Sequence, residues 1–577
     1  MTELGTLALV SAVLLPFLGV MAGLALGGRN VRTVALITIL AGLAVVGNIA
    51  FAFVQSAQPL SYLLGGWAPP LGIALRADGL SVTMMLAVAV VVAGIAAYAW
   101  RDFAPSADGT EKRAPFMYWL LLLAVWGSLN LVFLSGDLFT LYVALELLTF
   151  AGVPLVCLDG RGETLRAALR YLLFALAGSL LYLLGAVLLY GAYGTLDIAL
   201  LGGLIRPEPI AWTAAALMTV GLMAKTALFP LHIWLPPAHA GAPAAGSAIL
   251  SALVIKGSWF LVVRLWFDVM PGVVTLSAAQ LLAALGALAI VVGSVVALRQ
   301  ERLKLLVAYS TIAQIGYLFL MFPLAFDVSG TTLVHGAALT GGVLQAVSHA
   351  TAKAGMFMAA GMIYASLGHD RIADLAGIAR AMPITVLAFA VAGLALMGVV
   401  PSGAYLAKKL LLAAADGSGQ WWWTLVLQGG AAFTAGYMVL VLVSVFRRPA
   451  VPVVLLKRVS RLSEAAALAL AICSLLLAMA ALGPVPGDLI SNPLAPKELL
   501  STLVVVLGGG LLALGMSRRS LLVETADGGG FARRFMVAAG VAFERLDEFA
   551  RRWTSASILL LALAGLFAWL MIQGVAG

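Results

Sequence analysis

Six ionisable side chains stand in stretches that otherwise carry almost none. Glu146 lies in "LYVALELLTF", Lys225 in "LMTVGLMAKTALFPLHIWLPPAHAGAP" and Lys256 in "SALVIKGSWF". His349 and Lys353 share "SHATAKAGMF", and Lys408 sits in "VPSGAYLAKKLLL". A carboxylate, amines and an imidazole take up and release protons, and histidine does so near neutrality. His349 and Lys353 are four apart, so a helix puts them on one face. Lys408 and Lys409 are adjacent and point about 100° apart on a helix, and Lys408 is expected to be the inward one. His232, His239 and Arg264 fall near expected helix ends, where capping or interfacial roles are expected. His335 and His369 are expected to be peripheral.

The surroundings of these groups are those of a membrane protein. The 577 residues are 63% hydrophobic and 10% charged, and the mean hydropathy is +1.08. Runs long enough to cross a bilayer recur from end to end, about sixteen in all, so a polytopic all-α fold is expected. Three runs come first (5–27, 31–55, 80–100). Five follow at 115–135, 138–157, 168–193, 209–229 and 245–267. Five more lie at 275–298, 304–325, 333–365, 382–414 and 422–446, and three close the chain (461–482, 499–516, 555–574). "MTEL" lacks a basic start, so the first run is expected to stay as a span rather than act as a cleaved leader.

Basic residues give an orientation. With the N-terminus outside, the inner loops collect Arg29, Arg32, Arg101, Arg161, Arg166, Arg170, Arg299, Arg302 and most of the rest. The outer side keeps Arg76, Arg206, Arg264, Lys408, Lys409 and Lys497. That asymmetry is the positive-inside pattern, and it puts both termini outside. The net charge of +9 then serves topology and anionic lipid head groups rather than nucleic acid. Cys157 and Cys473 have no CxxC or HExxH context, and no glycine-rich phosphate loop is present, so no cofactor or metal is expected.

A charge deep in apolar sequence is costly and marks an ion pathway by default. Burial favours the neutral amine of Lys225, and a nearby carboxylate such as Glu146 favours the ammonium, so the pair suits a switchable proton carrier. Pro230 has no N–H and takes the helical partner from the Thr226 carbonyl beside Lys225. Unsatisfied backbone at membrane depth persists only against protein or internal water, which predicts a hydrated break. Pro401 does the same to Met397, with Lys408 two turns later. Spans four to eight and nine to thirteen each carry the broken helix fourth in order. Five crossings is an odd number, so the second copy is expected to be inverted relative to the first, a recurrent transporter plan. The expected divisions are 1–114, 115–270 and 271–447 (the two repeats), and 448–577.

These residues carry a resemblance. "LFTLYVALELL", "MAKTALFPLHIWLPPAHAGAPAAGSAILSALVIKGSWFLVVR", "RLKLLVAYSTIAQIGY", "SHATAKAGMFMAAG" and "VPSGAYLAKKLLL" resemble the antiporter-like subunit family shared by complex I, membrane-bound hydrogenases and Mrp-type cation/proton antiporters. The "AHAGAP" and Lys256 pattern is most similar to the D-type member of the Mrp antiporters. The resemblance implies a proton relay through Glu146, Lys225, Lys256, His349, Lys353 and Lys408. It implies a bacterial inner-membrane location, H+ and Na+ as transported ions, and other membrane subunits as partners. The same residues in a complex-I-like or hydrogenase module would move protons while electrons flow in other chains, and a scaffold without transport is a third reading.

Three features depart from the family. Pro237 stands where an acidic residue is frequent, and the double proline before the second break is reduced to Pro401. The C-terminal spans exceed the usual fourteen, and between them "FARRFMVAAGVAFERLDEFARRW" puts Phe531, Phe535, Ala542, Leu546, Phe549 and Trp553 on one stripe. Such a helix suits a membrane surface or a neighbouring subunit, or is a solvated connector.

Overall fold

The computed structural model describes residues 3–104, 113–449, 452–479, 496–516 and 531–576. Among the described residues the secondary structure is helical, apart from a short hairpin pairing Leu60–Leu63 with Ala74–Ala77. Among the described residues, eleven helices are long and apolar enough to cross a membrane. Beyond these eleven, four expected spans coincide with helices that fall short in length or hydropathy, and the expected span 461–482 runs past the described residues. The shortfall has physical causes. Pro383–Leu396 and Thr502–Met516 are apolar but short. Pro209–Thr226 ends at a break, and Ala337–Leu367 carries Gln345, Ser348, His349, Thr351 and Lys353 in its buried middle.

The chain divides into two compact units. The first gathers Met1–Thr226, Gly241–Ala278 and Ile558–Gly577, and the second Ala227–Ala240 and Ala279–Ser557. Large apolar side chains such as Leu18, Met21, Phe51 and Val54 lie exposed on the outer helices. In a helical chain of this hydropathy that surface meets acyl chains instead of water.

In the first unit, Asp137 accepts from the Thr140 N–H at 2.7 Å and starts the helix Leu138–Gly152, which carries Glu146. This is an ordinary N-cap. The helix Gly162–Tyr193 packs on Pro209–Thr226, where Gly178 crosses Gly221 without side chains between the backbones. Small residues allow that approach between helices in a membrane. The Lys225 helix stops at Thr226, three residues short of the expected end at 229. Ala227 follows with φ +58°, and helix resumes only over Leu235–Gly241. A non-glycine residue in the left-handed region turns the chain there, before Pro230 is reached.

The segment Ala244–Val269 runs as one helical rod but widens to π turns over Leu250–Val254 and Leu265–Val269. In the second unit the broken helix comprises Pro383–Leu396 and Gly403–Gly417. Gly398 sits at φ +74° in the gap. Ser402 caps the second half, accepting from the Tyr405 N–H at 3.1 Å. Along the chain, Lys225 thus precedes the first interruption and Lys408 follows the second.

Candidate functional site

Lys225 stands in a shell of polar partners. Its ammonium donates to Glu146 Oε1 at 3.2 Å, Thr149 Oγ1 at 2.9 Å, Ser179 Oγ at 2.5 Å and the Leu145 carbonyl at 3.4 Å. The two hydroxyls are held in turn by their own helices: Thr149 donates to the Leu145 carbonyl and Ser179 to the Ala175 carbonyl. The lysine side chain is 6% exposed and the glutamate 12%. Glu146 Oε2 is buried with no protein partner among the described residues. An ion pair of this kind adds little stability over an apolar replacement, since desolvating two charges offsets their attraction. What it provides is a site where a proton has two nearby places to reside.

Lys256 is fully buried, and its ammonium donates to the Ser251 carbonyl at 2.7 Å. That carbonyl lies in the π turn, where the wider spacing alters the usual ladder; such turns concentrate at functional sites. One residue beyond Lys225, the first-unit polar chain continues: the Thr226 hydroxyl pairs with Ser258 Oγ at 3.0 Å.

In the second unit His349 and Lys353 are fully buried on the helix Ala337–Leu367. Lys353 donates to Ser310 Oγ and, at 3.2 Å, to the Val307 carbonyl. No carboxylate lies within ion-pair distance of it among the described residues, in contrast with Lys225. Lys408 lines a small cavity of about 20 Å³ with Gln314, Tyr317, Gln345, Met397 and Gly398, room for about one water molecule. The cavity is approached by an amide network: Gln345 donates to Gln314 at 3.0 Å, and Gln314 to Thr434 at 3.2 Å and Tyr437 at 3.4 Å. Lys409 instead lies over the Tyr405 ring, 4.9 Å from its centroid.

The structure thus brings Glu146 and Lys225 into contact and places Lys256, Lys353 and His349 in buried polar positions. It also adds residues that sequence reasoning misses. Thr149, Ser179, Ser310, Gln314 and Gln345 are neutral and common, so nothing in their type marks them out. His232 departs from the capping or interfacial role expected of it, whereas His239 does lie in the last turn of the helix Leu235–Gly241. Both are fully buried: His239 stacks on Phe357 at 4.7 Å, and His232 Nε2 lies 2.8 Å from Asp547 Oδ1. The two partners are 315 positions apart, which no local pattern reveals.

Arg264 stands inside the Ala244–Val269 rod, just before its second π turn, where it is a clamp. It donates to Asp78 through both terminal nitrogens at 2.6 Å, to Asp268 at 2.7 Å and to Ser81 at 2.9 Å. Burial pushes the Asp78 carboxyl up, but the hydrogen bonds and charge of Arg264 outweigh it and hold the group at about 2.

Known proteins share this sequence and architecture. The family profile described as NADH:quinone oxidoreductase/Mrp antiporter, TM, matches residues 135–434. NADH-quinone oxidoreductase subunit N of Desulforudis audaxviator is 36% identical, over 64% of this chain and 72% of the relative. The D-type member of the Na(+)/H(+) antiporter of Bacillus subtilis is 28% identical, over 62% of this chain and 69% of the relative. Among solved structures, a chain of the Mrp complex from Dietzia sp. superposes with a TM-score of 0.72 at 24% identity, covering 89% of this chain and 98% of that one. With the profile spanning both interrupted helices and the lysines beside them, the chain belongs to the NADH:quinone oxidoreductase/Mrp antiporter transmembrane family.

Proposed function

We propose that this chain is a proton-translocating subunit of D type in a multisubunit monovalent cation (Na+)/proton antiporter. Glu146, Lys225, Lys256, His349, Lys353 and Lys408 carry the protons. The observation that carries the reading is the Lys225 site: a buried ammonium shared between one carboxylate and two hydroxyls, at the last turn before a helix break. When Glu146 is close the proton is held on Lys225. When the carboxylate withdraws, burial favours the neutral amine and the proton moves on. Intramembrane ionisable groups of this kind mark proton pathways. The proposed setting is a bacterial cell membrane with both termini outside and further membrane subunits alongside.

The D-type assignment draws on the likeness to the Bacillus subtilis relative. A second reading is favoured by the 36% identity to an N-type member of NADH-quinone oxidoreductase. In it, the same residues pump protons for a redox complex whose electron carriers lie in other chains.

One experiment addresses both. The tagged chain is purified from its native membrane and its companions identified, and inverted vesicles are monitored for pH change after NaCl or after NADH. Small hydrophobic companions and a NaCl-driven response support the antiporter. Iron–sulfur companions and an NADH-driven response support the redox complex. Responses unchanged by Lys225→Ala at equal assembly reject proton translocation through this chain.

A further inference from the structure

The helix Phe531–Ala550 turns two acidic residues, Glu544 and Asp547, inward. Asp547 is 2% exposed, and Gly540 and Ala550 are buried. Phe535 and Phe549 are 65% and 52% exposed, and Leu546 and Trp553 are also outside. A helix on a water-soluble surface does the reverse. The inward groups are tied to three other segments of the same unit. Glu544 pairs with Arg299 at 3.0 Å. The Tyr309 hydroxyl donates to Asp547 Oδ2 at 2.9 Å, and Arg551 pairs with the same oxygen at 2.8 Å. Asp547 Oδ1 faces His232 Nε2 at 2.8 Å.

Two further observations point past a simple latch. Asp547, Glu544, Glu548, Arg551, Tyr309 and Gln300 line a cavity of about 260 Å³, more than ten times the volume one water needs. On the far side of the pair, His232 Nδ1 is buried with no protein partner among the described residues. His232 stands in the break that follows the Lys225 helix, seven residues along the chain from Lys225. A carboxylate at the wall of a roomy polar cavity therefore sits against an imidazole whose second nitrogen has no protein partner among the described residues.

We infer that Asp547 and His232 form a proton inlet, through which the helix Phe531–Ala550 supplies the helix break with protons from the cavity. The inference rests on the proton-translocating reading above. A hydronium ion from the cavity protonates Asp547 and leaves as water. The Oδ1–H bond breaks as a bond to His232 Nε2 forms, the imidazolium then gives its Nδ1 proton to a water molecule in the helix break, and the ring turns over to reset. No electrons change hands.

The groups facing Asp547 set its charge. Burial pushes its carboxyl up, and hydrogen bonding and charge from His232, the Arg551 guanidinium and the Tyr309 hydroxyl together bring it below the ordinary carboxylate value. Asp547 therefore rests ionised, and a proton collected from the cavity is passed on instead of retained. Glu544 is engaged by Arg299 and so competes less for that proton. Glu548 is exposed on the next position of the helix.

The test uses inverted native-membrane vesicles holding the whole complex, driven by NaCl or NADH, whichever drives the wild type. Rates are normalised to the amount of assembled chain, and Lys225→Ala serves as the separate check on the underlying reading. Asp547→Asn and His232→Gln, which keep hydrogen-bonding groups in place, are each expected to slow proton movement at least tenfold. The double variant should be no slower than either. Asp547→Glu should recover most of the rate with a displaced pH profile, which a purely structural latch would not produce. A wild-type rate and pH profile in Asp547→Asn overturns the inlet even where Lys225→Ala is inactive. An Asp547→Glu variant no faster than Asp547→Asn overturns it as well. If Asp547→Asn fails to assemble, His232→Gln decides alone, and a wild-type rate there is fatal to the inlet.

Discussion

Gly178 and Gly221 cross so closely that a methyl group on either would meet the other's carbonyl oxygen, at 2.6 Å from position 178 and closer still from position 221. One residue beyond Gly178 stands Ser179, and four beyond Gly221 stands Lys225, so this crossing sets the distance between hydroxyl and ammonium. Both obstacles are backbone and cannot rotate away. Gly221→Ala is expected to part the two helices and lengthen the 2.5 Å contact from Lys225 to Ser179. The cost should be about 1–3 kcal/mol, as for other overpacked positions. Gly47→Ala provides the control, because nothing lies within 4 Å of a methyl there. Thermal unfolding in detergent should show a lowered midpoint for Gly221→Ala and an unchanged one for Gly47→Ala. Equal midpoints would mean that the crossing is loose.

The Lys225–Glu146 pair makes a different prediction, about coupling. Each residue removes a charge from the same buried site, and neighbours of that kind do not act additively. Lys225→Ala and Glu146→Ala should each abolish proton movement in vesicles while leaving the amount of assembled chain unchanged, and the double variant should be no worse. Glu146→Gln keeps the hydroxyl contacts from Lys225 to Thr149 and Ser179 but removes the carboxylate charge, so it should remain at least tenfold slow. A Glu146→Gln variant at the wild-type rate would show that the hydroxyls alone suffice.

The Arg264 clamp should make the first unit sensitive to acid. In the folded chain the Asp78 carboxyl lies at about 2, below its ordinary unfolded value near 4. A lowered folded value means that the stabilisation is fully present above about pH 4 and is lost as pH falls toward about 2. Its size is about 2 kcal/mol, discounted somewhat because Asp78 retains some exposure. Asp78→Asn should therefore unfold more easily than wild type at pH 6, and the gap should close as pH drops from about 4 to about 2. A gap that stays constant across that range would remove ionic pairing as its cause.

How much of this is legible without coordinates depends on what kind of signal each feature leaves. A lysine or glutamate in apolar sequence is conspicuous by rarity, which is why Glu146, Lys225, Lys256 and Lys353 stand out from the chain alone. Pro230 and Pro401 announce the two interruptions, because proline removes a donor wherever it stands. The position of the first interruption is less readable: the chain turns at Ala227, whose left-handed conformation no side-chain type betrays. The hydroxyls around Lys225 and the Gln314–Gln345 network are neutral residues that sequence alone does not separate from core filler. The C-terminal amphipathic stripe is visible as a pattern. Which side faces the protein is not, because in a membrane the apolar face can look outward and the polar face inward. Asp547 is therefore hidden on the helix that holds it, and His232 reads as a helix-end residue.

Adjacent lysines give the last prediction. Lys408 lines the cavity beside Gln314, Tyr317 and Gln345, whereas Lys409 rests on the ring of Tyr405. A cation over an exposed aromatic face contributes about 0.5–1 kcal/mol and survives replacement without consequences for a distant pathway. An amine at a cavity that holds about one water can exchange a proton with it, and the amide chain behind gives that water partners. Lys408→Ala should therefore cut proton movement in vesicles by at least tenfold, and Lys409→Ala by less than twofold. Gln345→Leu, which removes one amide from the cavity wall and leaves Lys408 in place, should fall between them. The reverse ranking, with Lys409 indispensable and Lys408 dispensable, would put Lys409 on the proton path in place of Lys408.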